Sequence, residues 1–224
     1  MRRVVVILAL LALALPMAAW ASPISLINQT GTIAISDPNG GLGTIGSSTI
    51  TSKGSQLTNF ESFSSTKPAV LGYVNFTTGA LLSGTISGGG TFSSTGSSFV
   101  VTGIGAWMKG LNPVPSGNLG KGIALFTGSF VGPITWTWTG KAGPENFFTL
   151  SGNISGTLWN GVTVSGSTSQ NFFTENAGQF NAGIGHASMG TTSFNTVPEP
   201  GTLGLLGTGL VGIAGVFRRK IMGS

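Results

Sequence analysis

The chain has 224 residues, 38 of them glycine, with only 7% charged and no cysteine, so disulfides and metal–thiolate sites are excluded. Its formal charge of +5 is misleading, because five of the ten basic residues, Arg2, Arg3, Arg218, Arg219 and Lys220, sit at the two extremes. Between Ser22 and Thr196 five lysines (Lys53, Lys67, Lys109, Lys121, Lys141) meet four carboxylates (Asp37, Glu61, Glu145, Glu175), 5 − 4 = +1, which removes the case for nucleic-acid binding.

Residues 1–21 have the composition of a signal peptide. Arg2 and Arg3 supply the positive start, Val4 to Leu15 the apolar core, and Pro16 ends that helix. Ala19-Trp20-Ala21 is a small-x-small cleavage pattern, so signal peptidase is expected to leave Ser22 as the first mature residue.

Residues 22–196 are enough for one well-buried domain. Valine, isoleucine, phenylalanine, leucine and tryptophan are frequent enough to build a core, despite the abundance of Gly, Ser, Thr and Asn. The periodicity is that of strands. Thr32 to Ser36 puts Ile33 and Ile35 on one face, and further strands are predicted near 71–78, 81–87, 97–104 and 122–130. Ile134 to Thr139 alternates, with Ile134, Trp136 and Trp138 on one face and three threonines on the other. Strands follow near 146–152, 153–159, 162–167, 170–174, 179–184 and 187–194. Turn signals separate them at Asp37-Pro38-Asn39-Gly40, Gly88-Gly89-Gly90, Asn112-Pro113, Ser116-Gly117-Asn118 and Asn160-Gly161. The last predicts a hairpin closed by a type I′ turn. Leu82–Gly88 recurs with one difference as Leu150–Gly156, which predicts two equivalent strands with Ile86 and Ile154 both in the core. The expected fold is all-β, a single antiparallel β-sandwich of jelly-roll type, with a β-solenoid as the alternative.

Little in this domain points to chemistry. His186 is the only histidine, and no His-x-His or His-Glu spacing accompanies it. No Gly-x-Ser-x-Gly elbow selects a nucleophilic serine. Glu61, Glu145 and Glu175 could supply a glycosidase pair, but each has polar, turn-forming neighbours and reads as a solvated loop position. No catalytic, metal or cofactor residue is assigned, and the chain is expected not to be an enzyme. Trp136 and Trp138 form the one candidate ligand platform, as aromatic rings that could stack on sugars, against the simpler reading of core positions.

The tail carries the most specific signal. Val197-Pro198-Glu199-Pro200-Gly201 leads into an uncharged run ending at Phe217, followed by Arg218, Arg219 and Lys220. Leu203 to Phe217 as a helix would span about 23 Å, short for a bilayer core of about 30 Å. Counting from Gly201 and letting the arginines snorkel makes residues 201–217 an expected transmembrane helix. The basic cluster keeps its end cytoplasmic, which puts residues 22–196 on the far side. Pro198 and Pro200 hold Glu199 on a stiff, non-helical stub. Pro-Glu-Pro, a short apolar helix and a terminal basic cluster in this order resemble the PEP-CTERM sorting signal, over residues 197–220. The resemblance implies export in a Gram-negative bacterium that makes exopolysaccharide, recognition by exosortase, and passage from an inner-membrane-anchored precursor to the cell surface or medium. Two roles are consistent with that address. One is a structural protein of the surface or extracellular matrix, and the other is a surface carbohydrate-binding module using exposed tryptophans.

Overall fold

The computed structural model describes residues 23–38, 43–64, 70–174 and 184–196. The expected signal peptide with its cleavage site (Ala19, Ala21, Ser22), the tail residues Pro198, Glu199, Pro200, Arg218, Arg219 and Lys220, and the expected membrane helix lie outside the described residues. Among the described residues, no helix is long and apolar enough to cross a membrane.

Residues Pro23–Thr196 form a compact unit, with twelve strands among the described residues. In chain order these are β1 (Ile24–Gln29), β2 (Thr32–Ser36), β3 (Thr49–Phe60), β4 (Phe63–Ser64), β5 (Gly72–Thr77) and β6 (Leu81–Thr85). Then come β7 (Gly89–Phe92), β8 (Ser98–Gly103), a 3-10 helix (Ala106–Gly110), β9 (Ile123–Ala142), β10 (Glu145–Leu158), β11 (Thr163–Thr174) and β12 (Ile184–Thr196).

Pairing is antiparallel throughout, and it closes on itself. Three staves are broken strands. β1 and β2 both lie between β12 and β3. β5 continues into β6, and β7 into β8, so that Thr77 opposite Ser98 is followed by Leu81 opposite Phe92. The eight staves are adjacent in chain order, from β1–β2 through β3, β5–β6, β7–β8, β9, β10 and β11 to β12, which pairs back onto β1. The sandwich expected from sequence is therefore corrected: this is a closed eight-stave, up-and-down antiparallel barrel, and it is not a solenoid. The alternation of single strands is the same in both folds, and only the closing pair Ile24–Phe194 to Gln29–Met189 distinguishes them. Register shifts in the β1–β3, β3–β5, β8–β9, β9–β10 and β11–β12 pairings supply the local bends that closure needs.

Eight staves leave an interior just wide enough to be filled by side chains. Here the filling is aromatic. Phe194 packs 4.4 Å from Phe126, which leads through Phe99, Phe76, Phe130 and Phe172 to Trp136, stacked on Phe148 at 4.7 Å. One stripe of the interior is polar. Asn28 and Gln170 exchange amide hydrogen bonds of 2.8 and 3.2 Å, and Gln170 Nε2 also donates to Thr168 Oγ1 at 2.8 Å. These groups are buried and mutually satisfied across the β1–β12–β11 seam.

At one end lie residue 23, Thr196 and the β3–β5, β8–β9 and β10–β11 connections. The 3-10 helix covers it, with Met108 and Leu111 buried and Trp107 Nε1 donating to the carbonyls of Leu71 (2.9 Å) and Ile104 (2.8 Å). Phe60 sits between Trp107 and Trp159, at 5.8 and 6.0 Å. The far end carries the β2–β3, β6–β7 and β9–β10 turns.

Two further expectations need correction. The Asn160-Gly161 hairpin forms, but of its turn residues only Gly161 has a positive φ (83°), where a type I′ turn needs two. Gly161 N–H closes onto Leu158 O at 2.9 Å, giving a three-residue loop with glycine in the left-handed position. The Leu82–Gly88 echo holds for its isoleucines, since Ile86 and Ile154 are both buried. It fails as a strand equivalence, because Leu150 is buried mid-strand whereas Leu82 is 53% exposed and Ile86 lies in the β6–β7 turn. Gly84 (φ 84°) breaks the alternation between Leu82 and Ile86.

Candidate functional site

The sequence offered three kinds of site: acid–base groups, a tryptophan platform and the tail. The acid–base groups are dispersed. His186 lies on β12 with its ring 5.5 Å from that of Phe173. Asp37, at the end of β2, accepts a hydrogen bond from Ser48 Oγ at 3.0 Å. Glu61 follows β3 at the terminal end of the barrel, whereas Glu145 opens β10 at the far end, so these two cannot flank one glycosidic bond. Glu175 lies outside the described residues. Partial burial raises the Glu61 pKa above the ordinary carboxylate value. Among the described residues, no three His, Cys, Asp or Glu side chains group as metal ligands.

The tryptophans divide. Trp136 is buried, its Nε1 donating to Ile86 O at 2.7 Å and its face lying on Phe148. Trp138 is 46% exposed, with Nε1 donating to Asn146 Oδ1 at 3.3 Å. The expectation that Ile134, Trp136 and Trp138 would share one fate is therefore corrected. Their face is continuous, but β9 runs past the packed interior, and a register shift opposite Phe147 and Phe148 leaves Trp138 at the rim. A coplanar exposed pair does not form. What does form is a single exposed ring beside Asn146, whose buried Nδ2 has no hydrogen-bond partner among the described residues.

A feature that sequence reasoning missed lies on the outer wall. Cross-strand register aligns Ser25, Ser193, Ser167 and Asn153 in one row, and Thr191, Ser169, Ser151 and Thr135 in the next. The rows line a depression of about 660 Å³ over β12, β11 and β10, and no charged side chain borders it. The alternating Ser and Thr of β10 and β11 were visible in the sequence, but only the register shows them to be coplanar.

The tail is the signal on which comparison with known proteins bears. The PEP-CTERM protein-sorting motif matches residues 196–220. The match begins at Thr196, the last residue of β12, which pairs with Val164 on β11. No curated protein and no solved structure matches the chain. The sorting motif marks the chain as an exported substrate of exosortase destined for the surface.

Proposed function

We propose that the barrel is a non-catalytic structural protein of the cell surface or extracellular matrix of an exopolysaccharide-producing bacterium, delivered there through its tail. The observation that carries this reading is the sorting motif over residues 196–220. The barrel supports it, since its interior is filled by side chains and its outer wall presents neutral hydroxyls and amides that remain hydrated beside a polysaccharide gel. The tail first anchors the precursor in the inner membrane, and exosortase then removes it. Mass spectrometry of both termini in cells and medium tests this. The mature protein is expected to begin at Ser22 and to lack residues beyond the Pro198-Glu199-Pro200 region, with Glu199→Ala leaving an uncleaved precursor. Identical, intact C-termini in wild type and variant would reduce the tail to an anchor.

A second reading, a carbohydrate-binding module, is favoured by the exposed Trp138 ring at the rim, held by Asn146 Oδ1 through its indole N–H. An exposed aromatic face suits stacking on a pyranose ring. If Trp138→Ala abolishes sedimentation with purified exopolysaccharide while the barrel keeps its melting temperature, binding becomes the primary role.

A further inference from the structure

We propose that the outer wall formed by β10, β11 and β12 holds an extended chain of neutral sugars, lying along the strands from a row of aromatic rings to the hydroxyl rows described above, an assignment that rests on the reading of the protein as a resident of an exopolysaccharide layer. The wall is separate from the Trp138 rim.

The aromatic row follows from two adjacent pairs in the sequence. Phe147-Phe148 on β10 and Phe172-Phe173 on β11 each send one ring to either side of the sheet, because neighbouring residues of a strand point to opposite faces. Phe148 and Phe172 are buried in the interior. Phe147 and Phe173 therefore face outwards, directly opposite one another, with ring centroids 6.4 Å apart. Phe173 in turn stacks on His186 of β12 at 5.5 Å. All three rings are half-buried. The solvated face of an antiparallel sheet normally carries polar residues, so rings placed outside a filled barrel mark a surface built for contact.

Further along the same strands the wall turns polar. Thr149 donates to Asn171 Oδ1 at 2.7 Å, and beyond this pair lie the hydroxyls and the Asn153 amide around the depression of about 660 Å³. From Phe173 to Ser167 the strand covers roughly 20 Å, room for several sugar rings end to end. Among the described residues, charges stand only at the border of this field: Lys53 opposite Thr32 beyond His186, and Lys141 and Glu145 at the far rim. An ionic polymer thus finds no counter-charge within it. A protein partner or a lipid wants a continuous apolar patch, whereas apolar contact here is confined to the ring row and to single side chains such as Met189 and Val131 among hydroxyls. A neutral pyranose chain offers C–H faces for the rings and edge hydroxyls for serine and threonine, which donate or accept equally well.

Affinity electrophoresis tests this. The full chain is run on native gels cast with hydroxyethylcellulose, galactomannan or xylan, with polygalacturonate, or with no polymer. Retardation is expected in at least one of the three neutral gels. Phe147→Ala and Phe173→Ala are each expected to weaken it about fivefold, the loss of one stacked ring. Ser167→Gln, at an exposed position, obstructs the depression without touching the core and is expected to weaken it as well, with an unchanged Tm showing the barrel intact. Trp138→Ala is expected to leave retardation unchanged. Retardation lost in Trp138→Ala but kept in the two phenylalanine variants moves binding to the rim and overturns the assignment. Retardation by polygalacturonate alone, or by no polymer, also overturns it, while the matrix reading stands or falls separately on the termini of the exported protein. A mobility that depends on protein concentration in the polymer-free gel, and loses that dependence in Phe173→Ala, gives the wall to a second copy of the chain and overturns the sugar assignment.

Discussion

Gly190 is the position where a single methyl group should cost most. It sits in β12 between Asn28 of β1 and Gln170 of β11, and the two amides meet across it because it has no side chain. A Cβ built there would stand 2.5 Å from Asn28 Oδ1 and closer still to Gln170 Oε1. Gln170 is flexible at its tip, so the clash itself can be relieved. Relief requires the amide to swing away from Asn28 and Thr168, breaking the bonds of 2.8, 3.2 and 2.8 Å in a site where both amides are at most 1% exposed. An unsatisfied buried polar group costs about 1–3 kcal/mol. Two such amides put Gly190→Ala at roughly 2–5 kcal/mol, a large share of the ~5–15 kcal/mol typical of a domain. For a barrel of this size that corresponds to a fall in Tm of about 5–15 °C, read by circular dichroism. The control is Gly190→Ala in a Gln170→Ala background, where the nearer amide is gone, the bridge no longer exists to be broken, and the added cost should fall to that of shifting Asn28 Oδ1 away from its 2.5 Å contact. A Gly190→Ala barrel melting within about 2 °C of wild type would refute the view that this amide bridge holds the seam.

The remaining predictions concern single side chains. Trp136→Ala removes a buried ring stacked on Phe148 and should cost about 3–5 kcal/mol, whereas Trp138→Ala at the rim should cost well under half of that in the same urea titration. Trp136→Phe keeps most of the packing but orphans Ile86 O, now 2.7 Å from the indole nitrogen, and should fall between the two. Glu61 tests linkage. Its pKa is raised in the folded barrel by burial, so it stabilises below its ordinary value and that contribution is lost as pH rises through the raised one. Glu61→Gln should therefore match wild type at acid pH and exceed it slightly at neutral pH, and a variant less stable than wild type at neutral pH would contradict the sign.

How far the fold could be read from the sequence depended on what each strand buries. β2 is recoverable to the residue because Ile33 and Ile35 are apolar, inward and uninterrupted. β3 escaped recognition although it is twelve residues long. Its inward positions include Ser52 and Ser55, whose hydroxyls lie 3.4 Å apart, and Lys53-Gly54 shifts the inward parity midway. The alternation that periodicity detects is thus broken at the bend the barrel requires. Gly31 on β2's approach lies against this bend, so close that a Cβ would meet the Ser55 backbone at 2.7 Å. Gly89 and Gly90 were read as a turn for a related reason. They pair with Thr137 and Trp136 on β9 as part of β7, where a side chain at Gly89 would crowd the Trp136 carbonyl at 2.9 Å. In this chain glycine marks places where staves bend or approach closely as well as turns. The tail was legible for the opposite reason, because an address signal is read as linear sequence and needs no partner strand.

The same contrast bears on how such a chain reaches its destination. The barrel is closed by its first and last staves, so it cannot be complete until β12 has left the export channel and paired with β1. β12 ends at Thr196, where the sorting motif begins, so little chain separates the closing strand from the processing signal. Most of the contacts that hold β12 are with β11 and β1, and Gly190 and the Asn28–Gln170 bridge lie in the middle of that seam. A variant that loosens the seam should therefore free β12, at whose last residue the motif begins. If exosortase reads an extended, unpaired substrate, Gly190→Ala should speed cleavage at the tail even as it lowers Tm. If it reads the motif at the rim of a finished barrel, the same variant should slow cleavage. Pulse-chase of wild type and Gly190→Ala, with Glu199→Ala as the uncleaved reference, distinguishes the two orders of folding and sorting. Equal cleavage rates in wild type and Gly190→Ala would show that the seam and the signal are uncoupled.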